Sequence, residues 1–258
     1  MSRYTTVLFD MFDTLVRLDR SRLPVARVGG REIRSSAPEL HRVAAAMLPA
    51  LDLEAFSEAF LWSYQEADRL RADTHREVPA PERLRLFYRR VGLEVDRVPT
   101  ELTERLLAAH MACLVRVAQP MPGQVELLDW LKGRYRLGVV SNFDYTPTVQ
   151  RILAEAGILD RFETVVVSDA VGWRKPRAVI FEEARAALGV SASECLFIGD
   201  RLDIDVAGAK GAGMGAGWMN PEGNPVPAGA PAPDYVLEGL GDVRQALEAG
   251  RVARRKTS

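Results

Sequence analysis

Cysteine and long apolar runs are both scarce in this chain of 258 residues. The two cysteines, Cys113 and Cys195, suit neither a disulfide framework nor a zinc site, so we expect both to be small buried apolar residues. No apolar run approaches the ~20 residues that a bilayer-spanning helix requires. The N-terminus has Asp10 and lacks the long apolar stretch of a signal peptide. We therefore expect a cytoplasmic protein that has no membrane partner.

A strong net charge is also missing. The formal net charge is -1, which gives no electrostatic reason to expect nucleic acid as a partner. The histidines are His41, His75 and His110, and all three precede the region of alternating strands and helices described below. A Ser/His/Asp triad built within that region is therefore excluded. We expect a small-molecule substrate as the partner, and the sequence leaves the oligomeric state open.

Four short runs have a nearly continuous apolar character. Strands that are buried on both faces of a parallel sheet have this pattern. The runs are TTVLFD (5–10), RLGVVSN (136–142), ETVVVSD (163–169) and CLFIGD (195–200). From about Met121 onward strand and helix patterns alternate, which is typical of crossover connections. The sequence therefore predicts an α/β core, with a short last strand at YVL (235–237).

The residues between the first strand and Met121 have a different pattern. Apolar residues recur every three or four positions in four stretches that proline-containing breaks separate. We predict helices over 38–48, 53–72, 80–91 and 99–117, after an irregular segment at 17–30. The predicted domains are a core formed by residues 1–16 and 119–250, a helical insertion at 17–118, and a disordered basic tail at 251–258.

Polar side chains stand where the predicted strands end. Ligands of open α/β sheets bind at the carboxyl ends of the strands, so these side chains mark the expected site. They are Asp10, Ser141 with Asn142, Ser168 with Asp169, and Asp200 after Gly199, with Lys175 shortly after the third strand. The carboxylates of Asp10 and Asp200 would repel each other unless a cation lay between them. Oxygen ligands alone favour Mg²⁺.

The types of these residues suggest phosphoryl transfer. A carboxylate beside Mg²⁺ can attack phosphorus and form an aspartyl phosphate. The Ser141 hydroxyl and the Lys175 ammonium could then hold the phosphoryl oxygens while charge moves. The sequence therefore favours a hydrolase of a small phosphorylated metabolite.

Four motifs in order resemble those of the haloacid dehalogenase-like hydrolase superfamily: FDMFDTL, VVSNFD, GWRKPRAVIF and FIGDRLDIDVAGAKGAGM. The resemblance implies a Rossmann-like parallel sheet with a helical cap at 17–118. It implies that Asp10 is the nucleophile and Lys175 the neutralising cation. It also implies that the transferred group is bound by Thr14, Ser141 and Asn142. The implied ligands of Mg²⁺ are Asp10, Asp200, Asp205 and the Phe12 backbone carbonyl. Asp203 is a further acid beside this set.

The first motif departs from that of the superfamily's phosphatases, which usually have a second aspartate two residues after the nucleophile. Phe12 occupies this position and cannot transfer a proton. Asp13 follows it, and we interpret Asp13 as a turn carboxylate that binds local N–H groups. A missing general acid costs ~10²–10⁴ in rate for leaving groups that need a proton. We therefore expect a preference for aryl or acyl phosphates.

Two alternatives remain open. An aromatic residue at the position of Phe12 also occurs in the superfamily's 2-haloacid dehalogenases, although Gly199-Asp200 and Asp205 favour a metal site instead. The chain could also be a catalytically weak binding or regulatory member. The retained Asp10 and Lys175 disfavour that interpretation.

Overall fold

The computed structural model describes residues 4–255. The chain divides into two compact units. The first contains Met1–Arg17 and Gln119–Ser258, and the second contains Leu18–Ala118. The first boundary lies one residue from the position expected from sequence, and the second lies at that position.

The first unit is built on a six-stranded sheet. Its strands, in their order across the sheet, are β10 (Tyr235–Leu237), β9 (Gly215–Met219), β8 (Cys195–Gly199), β1 (Thr6–Phe9), β6 (Arg136–Ser141) and β7 (Thr164–Val167). Every neighbouring pair is parallel. Strands β1 and β8 are completely buried, as their continuous apolar runs predict. The expectation of an α/β fold with a Rossmann-like parallel sheet is confirmed.

Strand β9 is the one member of this sheet that the sequence pattern did not predict. Its residues, GAGWM, include two glycines and no β-branched side chain, so the usual strand signal is weak. Packing explains the composition, because a Cβ at Gly215 would overlap the Tyr4 hydroxyl and one at Gly217 would lie 3.1 Å from Leu237 Cδ1. The glycines therefore allow close packing within the sheet layer.

Helices connect these strands. They are α5 (Gln124–Leu131), α6 (Thr146–Glu155), α7 (Ser168–Val171), α8 (Ala178–Ala187), α9 (Ala207–Gly211) and α10 (Leu240–Arg255). A buried apolar cluster that includes Leu8, Val140, Phe181 and Phe197 forms between sheet and helices. Helix α10 ends at Arg255, inside the tail predicted at 251–258, and the last three residues lie outside the described residues.

The second unit contains four helices, α1 (Ala37–Ala44), α2 (Leu53–Ala72), α3 (Ala80–Arg90) and α4 (Thr100–Val117). The last part of the segment 17–30, which we expected to be irregular, instead belongs to an antiparallel hairpin of β3 (Val25–Val28) with β4 (Arg31–Arg34). Gly29 and Gly30 make its two-residue turn with φ of 55° and 73°. Such paired positive φ angles suit a hairpin turn and favour glycine. Strands β2 (Val16–Leu18) and β5 (Ala118–Pro120) form a separate two-stranded sheet.

Buried aromatic residues form the interior of the helical unit. Phe56 packs against Phe87 with ring centroids 4.8 Å apart. His110 is also buried, with Nδ1 2.7 Å from Ser36 Oγ and Nε2 2.5 Å from Tyr64 Oη. Burial, with a smaller effect from Arg83, lowers the pKa of His110 well below 6.5. The imidazole is therefore a neutral, buried part of this interior.

Both cysteines are free and buried, as predicted. Within residues 4–255, helices that combine the length and the apolar character needed to cross a bilayer are absent.

Candidate active site

Three neighbouring strands deliver polar side chains to one edge of the sheet. Asp10 follows β1, Ser141 ends β6 and Asp200 follows β8, and these strands are adjacent. Asp10 is only 7% exposed, and its N–H donates to the carbonyl of Ile198 at 2.8 Å. The parallel register therefore brings together residues that lie as many as 190 positions apart in the sequence.

Lys175 lies in the turn before α8 and reaches this edge. Its Nζ is 2.5 Å from Asp10 Oδ1 and 2.8 Å from Asp205 Oδ1, and the residue is only 2% exposed. Burial alone would lower the pKa of Lys175, but Asp10 and Asp205 outweigh it and raise that pKa. Lys175 is therefore a fixed positive charge between two buried carboxylates, and the sequence prediction had placed it at this site.

Asp10, Asp200 and Asp205 form a cluster of three carboxylates. Each offers an oxygen, and these oxygens lie within 4.8 Å of one another. Burial raises the pKa of Asp10 to about 7, although Lys175 opposes this, and burial with the nearby Asp205 raises the pKa of Asp200 to about 6. Burial and the neighbouring carboxylates thus disfavour full ionisation of the cluster, and one ammonium does not offset this. An oxygen-only donor set of this kind fits Mg²⁺.

Gly199 allows the third carboxylate to approach. A Cβ at this position would lie 2.5 Å from Asp205 Cγ. The other oxygen, Asp205 Oδ2, accepts a hydrogen bond of 3.0 Å from the Arg201 N–H. Residues 199–205 therefore fold back on themselves and turn Asp205 towards Asp10.

Two hydroxyls expected to bind the transferred group are buried in this unit. Thr14 and Ser141 are both fully buried. Within the described residues, neither Thr14 Oγ1 nor Ser141 Oγ has a hydrogen-bond partner. Buried hydroxyls normally have partners, so this pair is suited to a ligand that supplies acceptor oxygens.

Asn142 was expected to bind the transferred group, but its side chain contacts the backbone of Lys175. Its Oδ1 accepts from the Lys175 N–H at 2.8 Å, and its Nδ2 donates to the Lys175 carbonyl at 3.0 Å. The carboxamide therefore binds protein backbone. The sequence had no signal for this contact, because the two residues are far apart in the chain.

Asp203 and Asp13, whose roles in catalysis the sequence left open, lie outside the three-carboxylate cluster. Asp203 is exposed and forms a two-fold ion pair with Arg201, at 3.0 and 2.8 Å. Asp13 is exposed and has a φ of 60°, and its N–H donates to the Val16 carbonyl at 2.7 Å. Its charge contributes weakly to the raised pKa of Asp200. Asp13 thus lies in a turn, and the binding of local N–H groups by its carboxylate stays a prediction.

Phe12 packs against Phe143, the residue after Asn142. Their ring centroids lie 5.2 Å apart at an angle of 33°. Phe143 is held by Ser168, whose Oγ accepts from the Phe143 N–H at 3.0 Å. An aromatic pair therefore occupies the position where phosphatases of the superfamily usually have a carboxylate. The metal-binding role predicted for the Phe12 carbonyl stays a prediction.

Trp218 is a site residue that the sequence analysis missed. Its Nε1 donates to the Asp200 carbonyl at 2.9 Å from strand β9. Because β9 itself was not predicted, no pattern in the sequence could place this indole beside Asp200.

The parallel sheet thus carries three clustered carboxylates and a buried lysine at the ends of its strands. The model of the haloacid dehalogenase-like hydrolase family matches residues 4–213, and the chain belongs to this family. The resemblance stated from the four motifs is thereby confirmed.

Similar proteins include phosphatases. The chain is 30% identical over 144 residues to the pyrimidine 5'-nucleotidase YjjG of Escherichia coli, a match that covers 55% of this chain and 63% of the relative. It is 29% identical to a glyceraldehyde 3-phosphate phosphatase of Methanopyrus kandleri over 81% of this chain and 80% of the relative. The chain thus spans less than two thirds of the first of these relatives.

A solved 2-haloacid dehalogenase of Pseudomonas syringae superposes with a TM-score of 0.70, over 95% of this chain and 99% of that chain. Their sequence identity is 22%, so this likeness shows the fold alone. The two named relatives with higher identity are a nucleotidase and a phosphatase, and the family to which the chain belongs is one of hydrolases.

Proposed function

We propose that this protein is a Mg²⁺-dependent phosphatase that hydrolyses a small phosphorylated metabolite through an aspartyl phosphate on Asp10. The observation that carries the proposal is the contact of the buried Lys175 ammonium with Asp10, inside a cluster of three carboxylates. Two buried hydroxyls without partners among the described residues lie on the same unit. Phosphatases among the relatives support the same reaction class.

The reaction begins with Asp10. One of its carboxylate oxygens attacks phosphorus, and the bond from phosphorus to the leaving-group oxygen breaks with its electron pair on that oxygen. Lys175, Thr14 and Ser141 bind the phosphoryl oxygens as their charge redistributes. Water then attacks the phosphorus of the aspartyl phosphate, which releases orthophosphate and restores Asp10.

Asp10, Asp200 and Asp205 would hold Mg²⁺, with the Phe12 carbonyl as a fourth ligand. The bound ion would offset the charge of the carboxylates and of the incoming phosphate. Burial raises the pKa of Asp10 to about 7, so near neutral pH only part of the population would have the carboxylate that attacks. Binding of Mg²⁺ would therefore favour the ionised form of Asp10, which is the form that attacks.

The leaving group departs beside an aromatic pair rather than an acid. Phe12 and Phe143 have no proton to give. Aryl and acyl phosphates, whose leaving groups are stable as anions, avoid the loss of ~10²–10⁴ in rate that a missing general acid causes. We therefore expect p-nitrophenyl phosphate and acetyl phosphate to be better substrates than an alkyl phosphate such as glyceraldehyde 3-phosphate.

The test is a panel of these three compounds and a pyrimidine nucleoside 5'-monophosphate, assayed with Mg²⁺ and with EDTA. Asp10→Asn should abolish turnover, whereas the surface variant Asp203→Asn should retain it. Full turnover by Asp10→Asn would refute covalent catalysis, and equal efficiency on aryl and alkyl phosphates would refute the leaving-group preference.

Phe12 favours a second candidate, hydrolysis of a carbon–halogen bond. Halide leaves without a proton, so an aromatic residue at this position costs nothing. Chloride release from a 2-haloacid in EDTA would support this reaction. The absence of chloride, together with Mg²⁺-dependent phosphate release, would remove it.

A further inference from the structure

We propose that Asn142 is a positioning residue that holds the backbone of Lys175 and thereby places its ammonium beside Asp10. The role of this contact in catalysis rests on the proposed function. The positional part concerns only the contact between two residues of the first unit.

The contact uses both ends of one carboxamide. Asn142 Oδ1 accepts from the Lys175 N–H at 2.8 Å, and Asn142 Nδ2 donates to the Lys175 carbonyl at 3.0 Å. Two opposed hydrogen bonds on the N–H and C=O of a single residue determine both its distance and its orientation. A single contact would leave rotation free.

The two partners differ in how firmly their own elements hold them. Asn142 directly follows β6, an interior strand with hydrogen-bonded neighbours on both sides. Lys175 lies between α7 and α8, where no strand ladder or helix holds its backbone. The carboxamide of Asn142 therefore connects this turn to the rigid sheet.

Position matters at Lys175 because its ammonium has two targets. Nζ lies 2.5 Å from Asp10 Oδ1 and 2.8 Å from Asp205 Oδ1, and it also lies over the Phe197 ring, 5.1 Å from the centroid. Lysine has a flexible four-carbon stem, so the backbone position decides where the charge lies. A displacement of about 1 Å in a catalytic group can cost on the order of 10²-fold in rate.

This assignment replaces direct contact between the Asn142 side chain and the substrate. The acceptor oxygen and one donor of the carboxamide are already bound to Lys175. A variant at Asn142 should therefore act on the reaction through Lys175 and not independently of it.

Hydrogen exchange tests the contact without any assay of activity. In Asn142→Ala, the amide of Lys175 should exchange on the order of tenfold faster, as expected for loss of one hydrogen bond. Asn142→Asp keeps the acceptor for this amide and should retain most of its protection. Gln150→Ala, an exposed carboxamide on α6, is the control and should change nothing. Unchanged protection in Asn142→Ala, measured by NMR, would overturn the proposal, and the milder Asn142→Asp variant covers the case in which the alanine variant does not fold.

A double-mutant cycle tests the catalytic consequence. Binding of orthophosphate in Mg²⁺ is measured by calorimetry for the wild type, Asn142→Ala, Lys175→Met and the double variant. We expect Asn142→Ala to weaken binding on the order of tenfold in the wild-type background and less than about twofold in the Lys175→Met background. Equal losses in both backgrounds would overturn the proposal, because they would mean that Asn142 binds the anion itself.

The two hypotheses fail in different ways. If the wild type neither binds orthophosphate nor hydrolyses any phosphate in the panel, the proposed function is wrong. The exchange rate of the Lys175 amide would then still decide whether Asn142 holds Lys175.

Discussion

The ammonium of Lys175 lies 2.5 Å from the carboxylate of Asp10, and both groups are buried. Asp10 is held next to a positive charge, yet burial still raises its pKa to about 7. Removal of the lysine would therefore raise the pKa of Asp10 further, whereas addition of a cation would lower it.

Lys175→Met should reduce turnover of p-nitrophenyl phosphate by at least ~10²-fold, because the nucleophile and the phosphoryl oxygens lose their cation. It should also lower the free energy of unfolding by about 3 kcal/mol, since buried carboxylates are left unpaired. Steady-state kinetics and urea denaturation measure the two effects. The control is Lys132→Met, whose ion pair with Asp160 is exposed and 3.6 Å long. A change in that control as large as in Lys175→Met would contradict the prediction.

Mg²⁺ should raise the melting temperature of the wild type, because it binds the folded carboxylate cluster and not the unfolded chain. At about 100 times Kd the stabilisation is roughly 2.7 kcal/mol. Asp200→Asn should lose most of this rise, whereas Asp203→Asn should keep it, since Asp203 pairs with Arg201 on the surface. Thermal melts with and without Mg²⁺ measure the difference. A full shift in Asp200→Asn would exclude Asp200 as a ligand.

Phe12→Asp should increase kcat/KM for an alkyl phosphate relative to p-nitrophenyl phosphate by roughly tenfold or more, because it supplies the missing acid. The matched control is Phe143→Leu, which breaks the same ring contact without adding a carboxyl group. Kinetics on both substrates give the ratio. If Phe143→Leu shifts the ratio as much as Phe12→Asp, the effect comes from packing and not from proton transfer.

His110→Gln should flatten the pH dependence of stability below pH 7. The pKa of His110 in the folded protein is well below 6.5, chiefly because of burial, whereas the unfolded chain takes up a proton near 6.5. The wild type therefore loses up to about 1.4 kcal/mol of stability for each pH unit below 6.5 from this residue. Urea denaturation at pH 7.5, 6.0 and 5.0 compares the slopes. If the free energy of unfolding falls equally with decreasing pH in wild type and variant, the prediction is wrong.

Most of the fold was predictable because its strands and helices have strong local patterns. The continuous apolar run at CLFIGD became the buried strand β8, and the helical spacing around Phe56 and Phe60 became α2. Strand β9 and the hairpin of β3 and β4 were not predicted, and they have compositions without such patterns. Strand β9 is rich in glycine because Tyr4 and Leu237 pack against it, and the hairpin beside Gly29 and Gly30 is short.

The sequence alone established the residue types at the strand ends and their order, and hence the family and the departure at Phe12. Those features are local, since each depends on a few consecutive residues. The tertiary structure decided how the groups meet: Lys175 contacts Asp205 within the cluster that Asp205 forms with Asp10, and Asn142 binds the backbone of Lys175. Such contacts join residues up to 195 positions apart, and only the register of the sheet and the turns at its edge determine them.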